Sequence, residues 1–226
     1  PPTVDALAVV ERDGLLDVAA PSGAHSPYLE SHRRLELDGV GPEELLLHTI
    51  HPGLDGDWQA RLFAYSVDEA GQTALIPGPM QIGGEQGWGS VTVADLDGDG
   101  IDEIIAQGGT DGEQLRPVSI FALSDGQMVD RVWSISPGAE LVVADGDSDG
   151  RREIIGLTPA GGGVRISGLS LQRGMYRPAE VPGLAWLPAA LIEDLSQEGG
   201  RAHARTAHLL TLALDNGLRY RGEDTL

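Results

Sequence analysis

The sequence predicts an all-β protein of repeated four-stranded antiparallel units, on three observations. Val91 to Gln107 reads VTVADLDGDGIDEIIAQ, an acidic loop between two short runs rich in the β-branched residues that favour strands. The pattern returns 50 residues later, in LVVADGDSDGRREIIG from Leu141 to Gly156. Finally, apolar strand, tight turn and second strand recur in LFAYSVDEAGQTALI (62–76), IFALSDGQMVDRVW (120–133) and LLTLALDNGLRYRG (209–222). Asp125-Gly126 and Asn216-Gly217 within them are two-residue hairpin signals.

Counted from Asp95, the first loop places Asp95, Asp97, Asp99 and Glu103 at positions 1, 3, 5 and 9, with Gly100 at position 6 where the chain must turn sharply. Such a loop can surround a hard cation with oxygen, and calcium takes several carboxylate and carbonyl oxygens in a flexible geometry that magnesium tolerates poorly. The expected ligands are these four side chains and the backbone carbonyl of Ile101 at position 7. An EF-hand is excluded, because its loop lies between helices and closes with glutamate at position 12, which here is Ala106. The second loop supplies Asp145, Asp147, Asp149 and Glu153 at the same positions, with the carbonyl of Arg151 at position 7. Two structural Ca²⁺ ions are expected.

These two loops resemble the FG-GAP/VCBS repeat, the calcium-loop blade unit of integrin alpha-subunit propellers and many bacterial surface proteins. The resemblance implies a β-propeller of four-stranded antiparallel blades, with calcium held in the turn between the first two strands of a blade. One domain over residues 1–226 with about four to five blades is expected, by itself or as part of a larger propeller.

Along the chain, Val4 to Ala20 (VDALAVVERDGLLDVAA) aligns with the loop if Asp13-Gly14 takes positions 5 and 6. Glu11 and Asp17 then take positions 3 and 9, but Val9 at position 1 cannot coordinate, so 9–17 reads as a degenerate repeat. From Pro21 to Pro79 the repeat register is lost, although RRLEL (33–37), ELLLHTI (44–50) and RLFAYS (61–66) each read as a strand. Asp55-Gly56-Asp57 reads as a hairpin turn. A further worn loop begins at Asp194, with Ser196 and Glu198 at positions 3 and 5 and Ala202 at position 9. The chain opens on a first strand and ends on a last one, so the ring is expected either to close as a small propeller or to be completed by another chain or segment; an unclosed ring would expose sheet edges that invite pairing.

Composition narrows the function. The formal charge is −20, from 35 acidic against 15 basic residues, which disfavours nucleic acid and anionic membrane as partners. No stretch of about 18 apolar residues and no secretory leader occurs, as expected of a soluble product or a mature fragment. Without cysteine, disulfides cannot support the fold. Loops that need high-micromolar to millimolar calcium suit an extracellular, cell-surface or periplasmic setting.

No catalytic constellation stands out. The six histidines, His25, His32, His48, His51, His203 and His208, form no HExxH pair. There is no GxSxG elbow, and Gly161-Gly162-Gly163 lacks the helix and lysine of a phosphate cradle. Trp88 and Trp186 precede the Asp95 and Asp194 loops at similar offsets, which suggests packing between blades. Aromatics are only 4% of the chain, too few to favour a sugar-binding face. The expectation is therefore a non-enzymatic, calcium-stabilised propeller that binds or assembles with protein or polysaccharide at the cell envelope. The alternative is a carbohydrate-active propeller, a lyase or lectin, using the basic group Arg201, His203, Arg205 and His208.

Overall fold

The computed structural model describes residues 8–12, 15–19, 28–52, 58–79, 88–108, 116–132, 135–138, 140–144, 150–160 and 163–179. All-β content is confirmed. A hairpin of β1 (Ala8–Arg12) and β2 (Leu15–Ala19) is followed by the sheet of β3 (Tyr28–Leu35), β4 (Glu44–Pro52), β5 (Trp58–Val67) and β6 (Thr73–Leu75). The next sheet takes β7 (Trp88–Ala94), β8 (Glu103–Gly108), β9 (Arg116–Ser124) and β10 (Gln127–Asp130), with β11 (Ile135–Gly138) also paired to β9. The last contains β12 (Glu140–Ala144), β13 (Glu153–Ala160), β14 (Gly163–Gln172) and β15 (Met175–Ala179). Each four-strand path is antiparallel and runs in sequence order. Chain packing defines two compact units, one holding the β3–β6 sheet with β7, β8 and β10, the other holding β11 and the β12–β15 sheet.

Interior and edge strands differ in sequence for a physical reason. In β4, Leu46 joins a core with Leu35, Leu37, Leu62, Ile104 and Phe121, while Leu45 and Leu47 pack on the opposite face with Phe63 and Tyr65. A strand covered on both faces needs apolar residues at consecutive positions, as in ELLL, and each fully buried leucine contributes roughly 1.5–3 kcal/mol. β8 (EIIAQG) is buried at all six positions. By contrast, β3 is an edge, and its exposed Ser31, His32, Arg33 and Arg34 supply the charge that discourages pairing with another chain.

The turns follow from local chemistry. In the β5–β6 hairpin, the Asp68 carboxylate accepts the amides of Ala70 and Gln72 at 2.9 and 2.7 Å, and its carbonyl accepts that of Gly71 at 2.9 Å. Asp125 and Gly126, both at positive φ (52° and 74°), join β9 to β10 as a hairpin turn of this kind requires.

The expected propeller is not what forms, and the FG-GAP/VCBS identity fails with it. Besides the β1–β2 hairpin, the described residues make three separate, open sheets on four-strand antiparallel paths, one of them with β11 added, and none is closed or curled. The reading as a calcium-stabilised propeller for adhesion or assembly, and its carbohydrate-active propeller alternative, lose the scaffold on which both depended. What stands is an all-β, non-propeller scaffold carrying two acidic clusters. The 9–17 segment lies largely in strands, with Val9 and Glu11 in β1 and Asp17 in β2, where Arg12 pairs with Leu15.

Candidate metal centre

The loop between β7 and β8 is held at both ends by the strand ladder, in which Ala94 pairs with Glu103. Within it, Leu96 is fully buried and anchors the turn from below. The Asp95 carboxylate accepts the Gly98 amide at 2.8 Å, and that of Asp99 accepts the Ile101 amide at 2.9 Å. Gly98 and Gly100 adopt φ of 78° and 86°, a left-handed conformation in which a side chain costs energy. The backbone so folded brings one carboxylate oxygen each of Asp95, Asp97 and Asp99 within 4.8 Å of one another.

Glu103 stands apart from those three. It is buried at the start of β8, and one of its oxygens lies 3.9 Å from Nη1 of Arg131. The Ile101 carbonyl belongs to the same turn as the three carboxylates, following Gly100 in the chain.

A second cluster escaped the sequence reading. Glu36, Asp38 and Glu44, in the connection between β3 and β4, also bring their carboxylate oxygens within 4.8 Å. The segment ELDGVGPEE (36–44) aligns without a gap on DLDGDGIDE (95–103), identical at positions 2, 3, 4, 6 and 9. Leucine at position 2 is buried in both (Leu37 and Leu96), and the glycines at positions 4 and 6 have positive φ in both, 72° and 87° at Gly39 and Gly41. The position-4 amide donates to the position-1 carboxylate in both, here Gly39 to Glu36 at 2.7 Å. Position 5 is Val40, 73% exposed, where the other loop has Asp99. The signal was present in the L-D-G-x-G core, but a valine at position 5 and glutamate at position 1 hid it from a search for aspartates.

Glu44 closes this loop from the position equivalent to Glu103. Its carboxylate accepts the Leu37 amide at 2.8 Å. Burial, aided by the neighbouring charges of Asp38 and Glu36, pushes its pKa above the ordinary glutamate value, against the lowering effect of the Leu37 hydrogen bond. Confining three acids in one turn is unfavourable without a cation.

The loops also touch in series. The Asp102 amide donates to the Glu36 carbonyl at 2.6 Å, and the Glu36 amide to the Asp102 carboxylate at 3.1 Å. Likewise the Arg152 amide donates to the Leu96 carbonyl at 2.8 Å. A Cβ built on Gly98 would lie 2.6 Å from the Gly150 carbonyl oxygen.

Of the second predicted loop, Asp145, Asp147 and Asp149 lie outside the described residues. Gly150 has φ of 88° at position 6, Arg151 is exposed at position 7, and Glu153 is buried at the start of β13. Asp13, Asp55-Gly56-Asp57, the worn loop from Asp194 to Ala202, Trp186, the Asn216-Gly217 hairpin and the basic group Arg201, His203, Arg205 and His208 also lie outside them.

In chemical terms, both clusters offer hard, anionic oxygen donors and neither offers sulfur or imidazole, which suits hard divalent ions. The two acidic clusters can chelate a divalent metal ion. Compared with known proteins, the chain matches no family model and no curated protein.

Proposed function

We propose that the protein is a calcium-binding all-β protein in which the ion clamps the turn between β7 and β8. The observation that carries this reading is the convergence of Asp95, Asp97 and Asp99 on one turn with their oxygens within 4.8 Å of one another. Calcium is favoured over magnesium because a short loop of carboxylates and carbonyls offers many oxygens without octahedral regularity. The Ile101 carbonyl and Glu103 are available to complete the set, Glu103 by leaving Arg131. The Glu36, Asp38 and Glu44 cluster takes a second, weaker ion, because Val40 withholds the oxygen that Asp99 gives. The Asp145, Asp147, Asp149 and Glu153 loop repeats the first pattern and is assigned a site of the same kind, with the Arg151 carbonyl at position 7.

The ion's role here is to hold backbone, since each cluster lies on a turn joining two adjacent strands of one sheet. Such sites fill where calcium is plentiful, which supports an extracellular, cell-surface or periplasmic setting and a protein or polysaccharide partner of the cell envelope. Isothermal titration with Ca²⁺ and Mg²⁺ tests the assignment. Calcium binds more tightly than magnesium, and Val40→Asp tightens the weaker calcium step. Equal affinity for the two ions, or no heat with either, contradicts it.

A further inference from the structure

A second feature of the first unit lies on the edge strands rather than in the acidic loops. A groove of about 240 Å³ is lined by β3 and β4 on one side and β7 on the other. In the β3–β4 ladder Ser31 pairs with His48 and Arg33 with Leu46. Residues paired across a ladder share a face, as do residues two apart along a strand, so these four side chains point the same way. Leu46 fixes that direction as the side that packs against Val91 and Val93 of β7. Arg33, Ser31 and His48 therefore open into the groove beside Leu46, with Val91 and the backbone of Gly89 and Ser90 opposite; the Ser90 side chain turns to the other face, where its hydroxyl donates to Gln107 at 3.4 Å.

Both edge strands are irregular at this place. The β3 ladder shifts register between Leu29 and Ser31, leaving Glu30 as the extra residue, and the β7 ladder shifts between Trp88 and Ser90, leaving Gly89. Glu30 and Gly89 both line the groove. Bulges re-aim side chains and are common beside binding sites; two of them on different sheets meeting at one groove is the arrangement such a site needs. Arg33 is exposed on the edge strand β3 beside the groove.

We propose that this groove binds a small hydroxycarboxylate, its carboxylate on the Arg33 guanidinium and its hydroxyls on Ser31, His48 and Glu30. The fork of Arg33 matches a carboxylate in two parallel hydrogen bonds. Glu30 selects hydroxyls by accepting from them and repels a second carboxylate, which limits the ligand to one acid group. The volume suits a ligand of about one hexose ring, and Leu46 and Val91 form an apolar floor for its carbon face.

D-glucuronate is a suitable probe, titrated into ¹⁵N-labelled protein in calcium-free buffer because a uronate also chelates calcium. A dissociation constant on the order of 1 mM is expected for a ligand of this size, with amide shifts centred on Ser31, Arg33 and Ser90. Arg33→Gln weakens binding about tenfold or more. Arg34→Gln, which removes the same charge from the opposite face of β3, leaves it unchanged. Glucose, which has the ring without the acid, does not bind in the same range. The proposal is overturned by glucose binding as well as glucuronate, by equal weakening in the two arginine variants, or by the absence of shifts at these amides.

Discussion

Replacing Gly98 and Gly100 with alanine separately measures the contact between successive loops. Both residues have left-handed backbone, so alanine at either costs about 1–2 kcal/mol in strain. Only at Gly98 does the new Cβ meet another loop, 2.6 Å from the Gly150 carbonyl oxygen; at Gly100 there is nothing within 4 Å. Because the obstacle is backbone, relief requires the loops to move apart, at the expense of the hydrogen bond from the Arg152 amide to the Leu96 carbonyl. Such overpacking adds roughly 1–3 kcal/mol. With about 2–4 °C lost per kcal/mol for a chain of this size, Gly98→Ala melts well below Gly100→Ala when both are followed by circular dichroism in chelator. Asparagine separates the two causes further, since it tolerates left-handed backbone: Gly100→Asn recovers stability and Gly98→Asn does not. Equal losses in the two alanine variants refute the proposed contact.

Other consequences of the same geometry can be measured. Leu96→Ala removes a fully buried side chain from under the Asp95–Asp99 turn and lowers stability by about 2–5 kcal/mol in urea unfolding, while Val40→Ala, largely exposed, changes it by less than about 0.5 kcal/mol. Glu44 makes metal-free stability depend on pH, because its folded pKa is raised. As pH rises past the ordinary glutamate value, the unfolded chain releases this proton while the folded protein retains it, so this group's contribution to stability falls until the folded form also ionises. Glu44→Gln therefore raises the neutral-pH melting temperature in chelator and flattens that part of the pH profile, as calorimetry at acid and neutral pH would record.

Local elements were legible in the sequence because their causes are local. The runs flanking the Asp95 and Asp145 loops became β7, β8, β12 and β13, and the turns at Asp68 to Gly71 and Asp125-Gly126 became hairpins. The β14–β15 hairpin was overlooked because its turn places Arg173 at φ 54°, where Asn or Asp is the readable signal. The 36–44 loop was missed because glutamate replaces aspartate at position 1 and valine replaces it at position 5, although the buried leucine, Asp38, Glu44 and the two glycines that the backbone requires stayed. The propeller inference failed at longer range. A repeated loop specifies how two neighbouring strands join, whereas closure depends on how many sheets form and how they associate, which no turn sequence encodes. Likewise, the groove at Arg33 depends on which faces of β3 and β7 meet, and only the register of the folded sheets reveals it.

The central claim is that calcium holds the turn formed by Asp95, Asp97 and Asp99. The most direct test is scanning calorimetry of the parent protein and Asp97→Asn, each in calcium and in chelator. At calcium about 100-fold above the dissociation constant, one site adds about 2.7 kcal/mol to the folded state. Calcium is expected to raise the parent's melting temperature, Asp97→Asn to lose at least this site's share of the rise, and Asp97→Asn to melt no lower than the parent in chelator, where it relieves the crowding of like charges. A parent that melts at the same temperature in calcium and in chelator would contradict the account.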